Sequence, residues 1–409
     1  MTTAPLHPPL TEFPPVWLRD NCDCGECRDP ATGQKLFQIT DLPADLAVGS
    51  EQTVEWNGRT VHEVHWLPDG HRSRYGADWL GGTAAFVGAD DVADAGTAAE
   101  AGERTDPAAR SDHGDGRTED AKQLWTAPDL ADRLPEARWA DYLADPAERL
   151  RLLDSVARLG FALLRDVPVR EGQVLAVTET FGYVRETNYG RIFEVRVEEQ
   201  PNNLAFTSVA ITPHTDNPYR DPVPTLQLLH CLDNSSPGGD SGLVDGFAAA
   251  ALFRAEDPEG FAVLTRTPVP FRFADGETEL RADRPLIGVD PRGRIREVRF
   301  NNRSIGTLRL PVAETAAFYA AYRAFGELLQ RPGRQLEFRL EPGDCLIFDN
   351  VRLLHARTAF EAGGSRRLQG CYADLDALDS TRAVLRRTAA AVCAGEVRAG
   401  EVRTEGGAA

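Results

Sequence analysis

Three residues far apart in the chain constrain its fold most. His214 and Asp216 lie in Thr212-Pro-His-Thr-Asp-Asn-Pro, and His355 ends the distant run Asn350-Val-Arg-Leu-Leu-His. Residues i and i+2 of a strand project to one face, so His214 and Asp216 can point together into an interior. His355 must then arrive on a different strand. Two imidazoles and one carboxylate form the facial set that holds non-haem Fe(II) and leaves open positions for other ligands. A His-x-Asp tripeptide alone is common on polar surfaces; Arg366 adds to the signal. It follows in a second alternating stretch, where Arg366, Leu368, Gly370 and Tyr372 share one face and Arg367 points the other way. A guanidinium aimed inward needs an anionic partner, and a planar carboxylate meets it through two parallel hydrogen bonds.

The elements around these residues read as short strands buttressed by helices. Thr60 to Trp66 alternates with period two and reads as a strand, and Pro68-Asp-Gly after it is turn chemistry. The spacing predicts a helix over 146–159 that stops at Gly160, a strand from Phe161, and a second amphipathic helix over 312–329. Many short segments punctuated by Gly, Pro, Asp and Asn lie between and after them. The expected class is mainly β or α+β, with a jelly-roll core and flanking helices. The expected division is a small β-rich domain over 14–86, an acidic linker over 87–122, a large domain over 123–395 and a polar tail over 396–409. The linker is rich in Ala, Gly and Asp with almost no aromatics, a composition that cannot bury enough apolar surface to order itself.

Cys22, Cys24 and Cys27 form a tight trio, while the chain's other four cysteines are scattered. Such a cluster reads as a tetrahedral Zn(II) site short of one ligand, with His62, His65 and His71 as candidates by distance along the chain. Cys24-Gly-Glu-Cys27 is formally a redox dithiol, but no thioredoxin-like pattern surrounds it. The net charge of −18 argues against binding nucleic acid or an anionic membrane. No apolar run reaches the ~18 residues of a spanning helix, and the first residues lack the pattern of a secretory signal. A cytoplasmic protein is expected. Gly239-Asp-Ser-Gly242 reads as a turn, because no partner pattern for a serine nucleophile accompanies it.

Longer motifs carry a resemblance. Trp17-Leu-Arg-Asp-Asn-Cys-Asp-Cys-Gly-Glu-Cys27, Leu226-Gln-Leu-Leu-His-Cys231, Phe300-Asn-Asn302, Phe348-Asp-Asn-Val-Arg-Leu-Leu-His355 and Gln369-Gly-Cys-Tyr-Ala-Asp374 are similar to those of the γ-butyrobetaine hydroxylase and trimethyllysine hydroxylase family. The resemblance covers about residues 14–86 and 123–390. It implies a double-stranded β-helix oxygenase that uses Fe(II), O2 and 2-oxoglutarate, supported by ascorbate, and a small zinc-binding N-terminal domain. It implies His214, Asp216 and His355 as iron ligands, Arg366 as the grip on 2-oxoglutarate, and Cys22, Cys24, Cys27 and His71 as zinc ligands. It also implies an aromatic cage for a trimethylammonium group, held by cation–π attraction. Tyr189 and Tyr372 match cage positions. Phe193 stands where animal members carry Trp, Phe206 where they carry Tyr, and Asn217 replaces an aromatic. Asn203 and Asn301 match contacts to the substrate carboxylate. The implied reaction is hydroxylation of γ-butyrobetaine to L-carnitine in a homodimer. Trimethyllysine, a non-betaine amino-acid-like substrate, and a zinc-stabilised non-catalytic binding module are the alternatives.

Overall fold

A computed structural model describes residues 10–30, 33–80, 122–196, 210–360 and 365–393. The acidic linker (save Lys122) and the polar tail lie outside the described residues. Contacts divide the chain into two units. The first comprises 1–121, 250–295 and 301–328; the second comprises 122–249, 296–300 and 329–409.

In the first unit, Ala47–Trp56, Arg59–Leu67 and Arg72–Gly76 form a three-stranded antiparallel sheet that includes the expected Thr60–Trp66 strand. The short helix Pro15–Asp20 leads into the cysteine trio. Its last residue, Asp20, is fixed inside the unit by Lys35 at 2.5 Å and by the Tyr319 hydroxyl at 2.7 Å. Tyr319 belongs to the helix Val312–Leu329, as the apolar spacing predicted. A buried carboxylate without such donors would be costly, so these bonds anchor the chain just before Cys22.

The second unit contains two sheets. One has the order Leu336–Phe338, Ser241–Asp245, Leu353–Arg357, Ile211–His214, all pairs antiparallel. The other has the order Glu136–Arg138, Phe161–Arg165, Cys345–Asp349, Leu226–Asn234, Arg366–Ala373, Phe193–Arg196, antiparallel except for its first pair. The helix Pro146–Leu159 obeys its sequence signals: the Asp145 side chain accepts from Ala147 N at 2.8 Å, Pro146 opens it, and Gly160 ends it at φ 92°. It packs with Gln173–Glu179 and Leu375–Cys393 on one face of the six-stranded sheet, against Leu226, Leu228, Ile347 and Cys371. The intervening residues Cys231, Leu346, Phe348 and Leu368 turn to the opposite face and share a second core with Leu243 and Leu353 of the other sheet. Burial on both faces explains why these strands read as continuous apolar runs. A polar side chain on the inner face is therefore conspicuous, and the candidate site is made of such residues.

Candidate metal centres and active site

The two sheets bring the distant residues together. His214 ends the Ile211–His214 strand and lies directly across from His355 in the antiparallel register. Their ring centroids are 4.1 Å apart. Asp216 follows the strand end, with Oδ1 3.5 Å from His214 Nε2 and Oδ2 3.9 Å from His355 Nε2. One ligand atom from each of the three lies within 4.8 Å of the others, so a single ion can be reached by all. The Thr212 carbonyl accepts a hydrogen bond from His214 Nδ1 at 3.0 Å. That bond places the imidazole proton on Nδ1 and leaves the Nε2 lone pair facing the centre, the usual support for a metal-binding histidine.

The Asp216 backbone is clamped by Asn350, whose Oδ1 accepts from Asp216 N at 2.9 Å and whose Nδ2 donates to Asp216 O at 3.0 Å. Two further donors reach the carboxylate: Gln227 Nε2 at 3.0 Å and the Tyr372 hydroxyl at 3.2 Å, both on Oδ2. Sequence reasoning quoted Asn350 and Gln227 within motifs but gave them no role. For Gln227 the one available signal was a polar residue inside an apolar strand; Asn350 lies just past the end of Cys345–Asp349.

Arg366 lies on the inner face as the alternation predicted, 6% exposed, while Arg367 points away and pairs with Glu194 and Glu171. Among the described residues Arg366 makes no ion pair, its Nε is buried without a hydrogen-bond partner, and its guanidinium lies 5.9 Å from the Phe360 ring. Burial pushes its pKa down to about 10. A buried guanidinium in this state fits an incoming carboxylate.

The expected substrate residues are placed unevenly. Phe193 stacks on Tyr372 with centroids 5.0 Å apart. It can do so because its register partner is Gly370, where a Cβ would sit 2.2 Å from the Phe193 ring. The Tyr189 hydroxyl meets that of Tyr219 at 2.8 Å, and Tyr219 is an aromatic that sequence reasoning missed. Burial raises the pKa of all three tyrosines, so each hydroxyl keeps its proton. Asn217 is 2% exposed, beside Tyr372 and in left-handed backbone at φ 57°. Asn301 is buried and belongs to the first unit. Asn203 and Phe206 lie outside the described residues.

The second candidate centre is in the first unit. Cys22, Cys24 and Cys27 place their Sγ atoms 3.4, 3.6 and 3.5 Å from His71 Nε2. A tetrahedral Zn(II), with Zn–S of about 2.3 Å and Zn–N of about 2.0 Å, sets its ligands about 3.5 Å apart, so the four residues fit that ion. His71 reaches them from the turn after Leu67, held by Asp69. Of its rivals, His62 lies instead 3.1 Å from Glu51 on the neighbouring strand, and neither His62 nor His65 joins the group. Arg19 donates to Cys27 Sγ at 3.1 Å and to Asp69 at 3.1 Å, tying a thiol to the His71 turn. The Cys22 thiol is pushed down to about 4, chiefly by a hydrogen bond with Cys27. Burial pushes Cys231 and Cys371 up to about 12, so those thiols stay protonated and inert.

Comparison with known proteins agrees with this chemistry. Residues 126–372 match the family described as Taurine catabolism dioxygenase TauD, TfdA family, and residues 9–81 match Gamma-butyrobetaine hydroxylase-like, N-terminal. The chain is 35% identical to the gamma-butyrobetaine dioxygenase of Pseudomonas sp. (strain AK-1), over 92% of this chain and 91% of that one. It is 31% identical to the trimethyllysine dioxygenase of Meyerozyma guilliermondii, over 89% and 88%. It is 30% identical to the human gamma-butyrobetaine dioxygenase, over 92% and 91%. The chain belongs to the γ-butyrobetaine hydroxylase and trimethyllysine hydroxylase family, and is an Fe(II)- and 2-oxoglutarate-dependent dioxygenase.

Proposed function

We propose that this enzyme hydroxylates a small trimethylammonium metabolite, with γ-butyrobetaine, converted to L-carnitine, as its first substrate. The observation that carries the reading is the meeting of His214, Asp216 and His355 around one point, with Arg366 buried and lacking an ion pair among the described residues of the same unit. In this reading the three ligands hold Fe(II), which supplies the activation of O2. Arg366 takes the far carboxylate of 2-oxoglutarate. Tyr189, Tyr219, Phe193 and Tyr372 supply aromatic faces for the cationic group, and Asn217 of the same unit adds a polar contact. Cys22, Cys24, Cys27 and His71 hold a structural Zn(II). The two sheets of the second unit form a jelly roll, 14–86 and 123–395 are the domains, and the protein is a cytoplasmic homodimer. The apolar core between the sheets supports the jelly roll, and the donor chemistry of the cysteine cluster supports the zinc site.

The test is substrate-dependent formation of succinate by purified protein with Fe(II), ascorbate and 2-oxoglutarate. γ-Butyrobetaine is expected to turn over faster than trimethyllysine. Turnover of neither would refute the substrate while leaving the reaction class in place. Light scattering of the eluting species tests the dimer.

A further inference from the structure

We infer that Gln227 is a positioning residue for the metal, acting with Tyr372 to confine Asp216 to one coordinating oxygen. The inference rests on the iron assignment proposed above. Gln227 and Tyr372 are direct register partners on adjacent strands of the six-stranded sheet, and both face inward. Each donates to the same atom, Asp216 Oδ2, at 3.0 and 3.2 Å. A carboxylate oxygen that accepts two hydrogen bonds has little lone-pair capacity left for a cation. Oδ1 lies 3.5 Å from His214 Nε2 and Oδ2 3.9 Å from His355 Nε2, and the two donors on Oδ2 leave Oδ1 as the oxygen available to the metal. The backbone clamp by Asn350 fixes where Asp216 begins, and the two donors fix how its carboxylate is turned. A carboxylate free to rotate could bind through both oxygens and occupy a position that the cosubstrate needs.

Gln227 is suited to this and to little else. It is 1% exposed, flanked by the apolar Leu226 and Leu228, and its Oε1 is buried without a hydrogen-bond partner. A methionine of similar length would avoid that orphaned oxygen, so packing alone does not call for an amide here. The Nε2 donor is what the site uses.

The experiment measures Mn(II) affinity by EPR of free Mn(II), and the d–d spectrum of the Co(II) form, without 2-oxoglutarate or turnover. Zinc content and Tm serve as controls. Gln227→Met is expected to weaken Mn(II) binding roughly 10–100-fold, the usual effect of losing such a partner, and to change the Co(II) spectrum as Asp216 becomes bidentate. Tyr372→Phe is expected to act in the same direction, and it decides the matter if Gln227→Met does not fold. Parent protein that fails to bind one Mn(II) beyond its zinc would refute the iron assignment itself. Parent protein that binds normally, with Mn(II) affinity and Co(II) spectra unchanged in the folded variants, would overturn the role of Gln227 alone.

Discussion

Replacing Arg366 by methionine should stabilise the protein and abolish its response to 2-oxoglutarate. Arg366 is 6% exposed and makes no ion pair among the described residues. Burial moves its pKa from 12.5 to about 10, with only partial relief from the more distant Asp240 carboxylate. That change corresponds to about 3 kcal/mol of lost stabilisation of the charged form. The sign follows directly: a base with a depressed folded pKa is penalised wherever both states are charged, which includes all pH values below about 10. Methionine removes the charge and keeps most of the stem, although some packing is lost. The net gain without cosubstrate is therefore about 1–3 kcal/mol, roughly 2–7 °C in Tm for a cooperative unit of about 200 residues. In the parent protein, 2-oxoglutarate at about 100 times its Kd, with Mn(II) present, should add about 2.7 kcal/mol by linkage. Thermal unfolding of both proteins, with and without 2-oxoglutarate, gives a crossing pattern: the variant starts higher and the parent rises on addition. A variant that is less stable and still rises by the same amount would refute both the strain at Arg366 and its role as anchor.

The two metal centres should separate cleanly: Asp216→Ala should lose Mn(II) binding and turnover with zinc content unchanged, whereas Cys24→Ser should lower zinc content and Tm together, as expected when a metal contributes folding energy. Elemental analysis beside thermal unfolding checks both. Gly370→Ala should displace the Phe193 ring, since a Cβ would stand 2.2 Å from it; the KM for the ammonium substrate should rise several-fold while that for 2-oxoglutarate changes little. Burial pushes His230 down to about 4, so the unfolded chain takes up its proton first and stability falls as pH drops from about 6.5 to 4, by about 3 kcal/mol in all. His230→Leu should flatten that acid limb in denaturant titrations, and an unchanged limb would place the titrating group elsewhere.

What could be read from the sequence was what local chemistry decides. Asp145, Pro146 and Gly160 cap the helix they bracket, and alternation sends Arg366 inward and Arg367 out to Glu194. His214 and the distant His355 are register partners, whereas Asp216 lies past the strand end and is placed by the Asn350 clamp rather than by strand alternation. What could not be read depends on which strands are neighbours. His62, His65 and His71 are equivalent by spacing, and His71 is selected by a hairpin whose turn faces the cysteines while His62 faces Glu51. Gln227 acquires its role only when Tyr372 pairs beside it and Asp216 lies opposite. The grouping of residues 250–295 and 301–328 with the first unit is likewise a matter of long-range contact that no local pattern encodes.

In the proposed aromatic cage a local substitution is answered by backbone geometry. By the resemblance Asn217 replaces an aromatic, which reads as a weakened cage. Its φ of 57° is left-handed, a conformation that asparagine tolerates far better than a bulky side chain does. Two residues beyond that turn, Tyr219 is 5% exposed and its hydroxyl meets Tyr189 at 2.8 Å. An aromatic at 217 would thus be strained in this backbone, while the turn that asparagine permits brings an aromatic in from 219. Phe193 covers one face of Tyr372, and the Tyr372 hydroxyl is committed to Asp216. The Tyr219 hydroxyl meets that of Tyr189, so in the proposed cage Tyr219→Leu should raise the KM for γ-butyrobetaine at least as much as any change at Phe193.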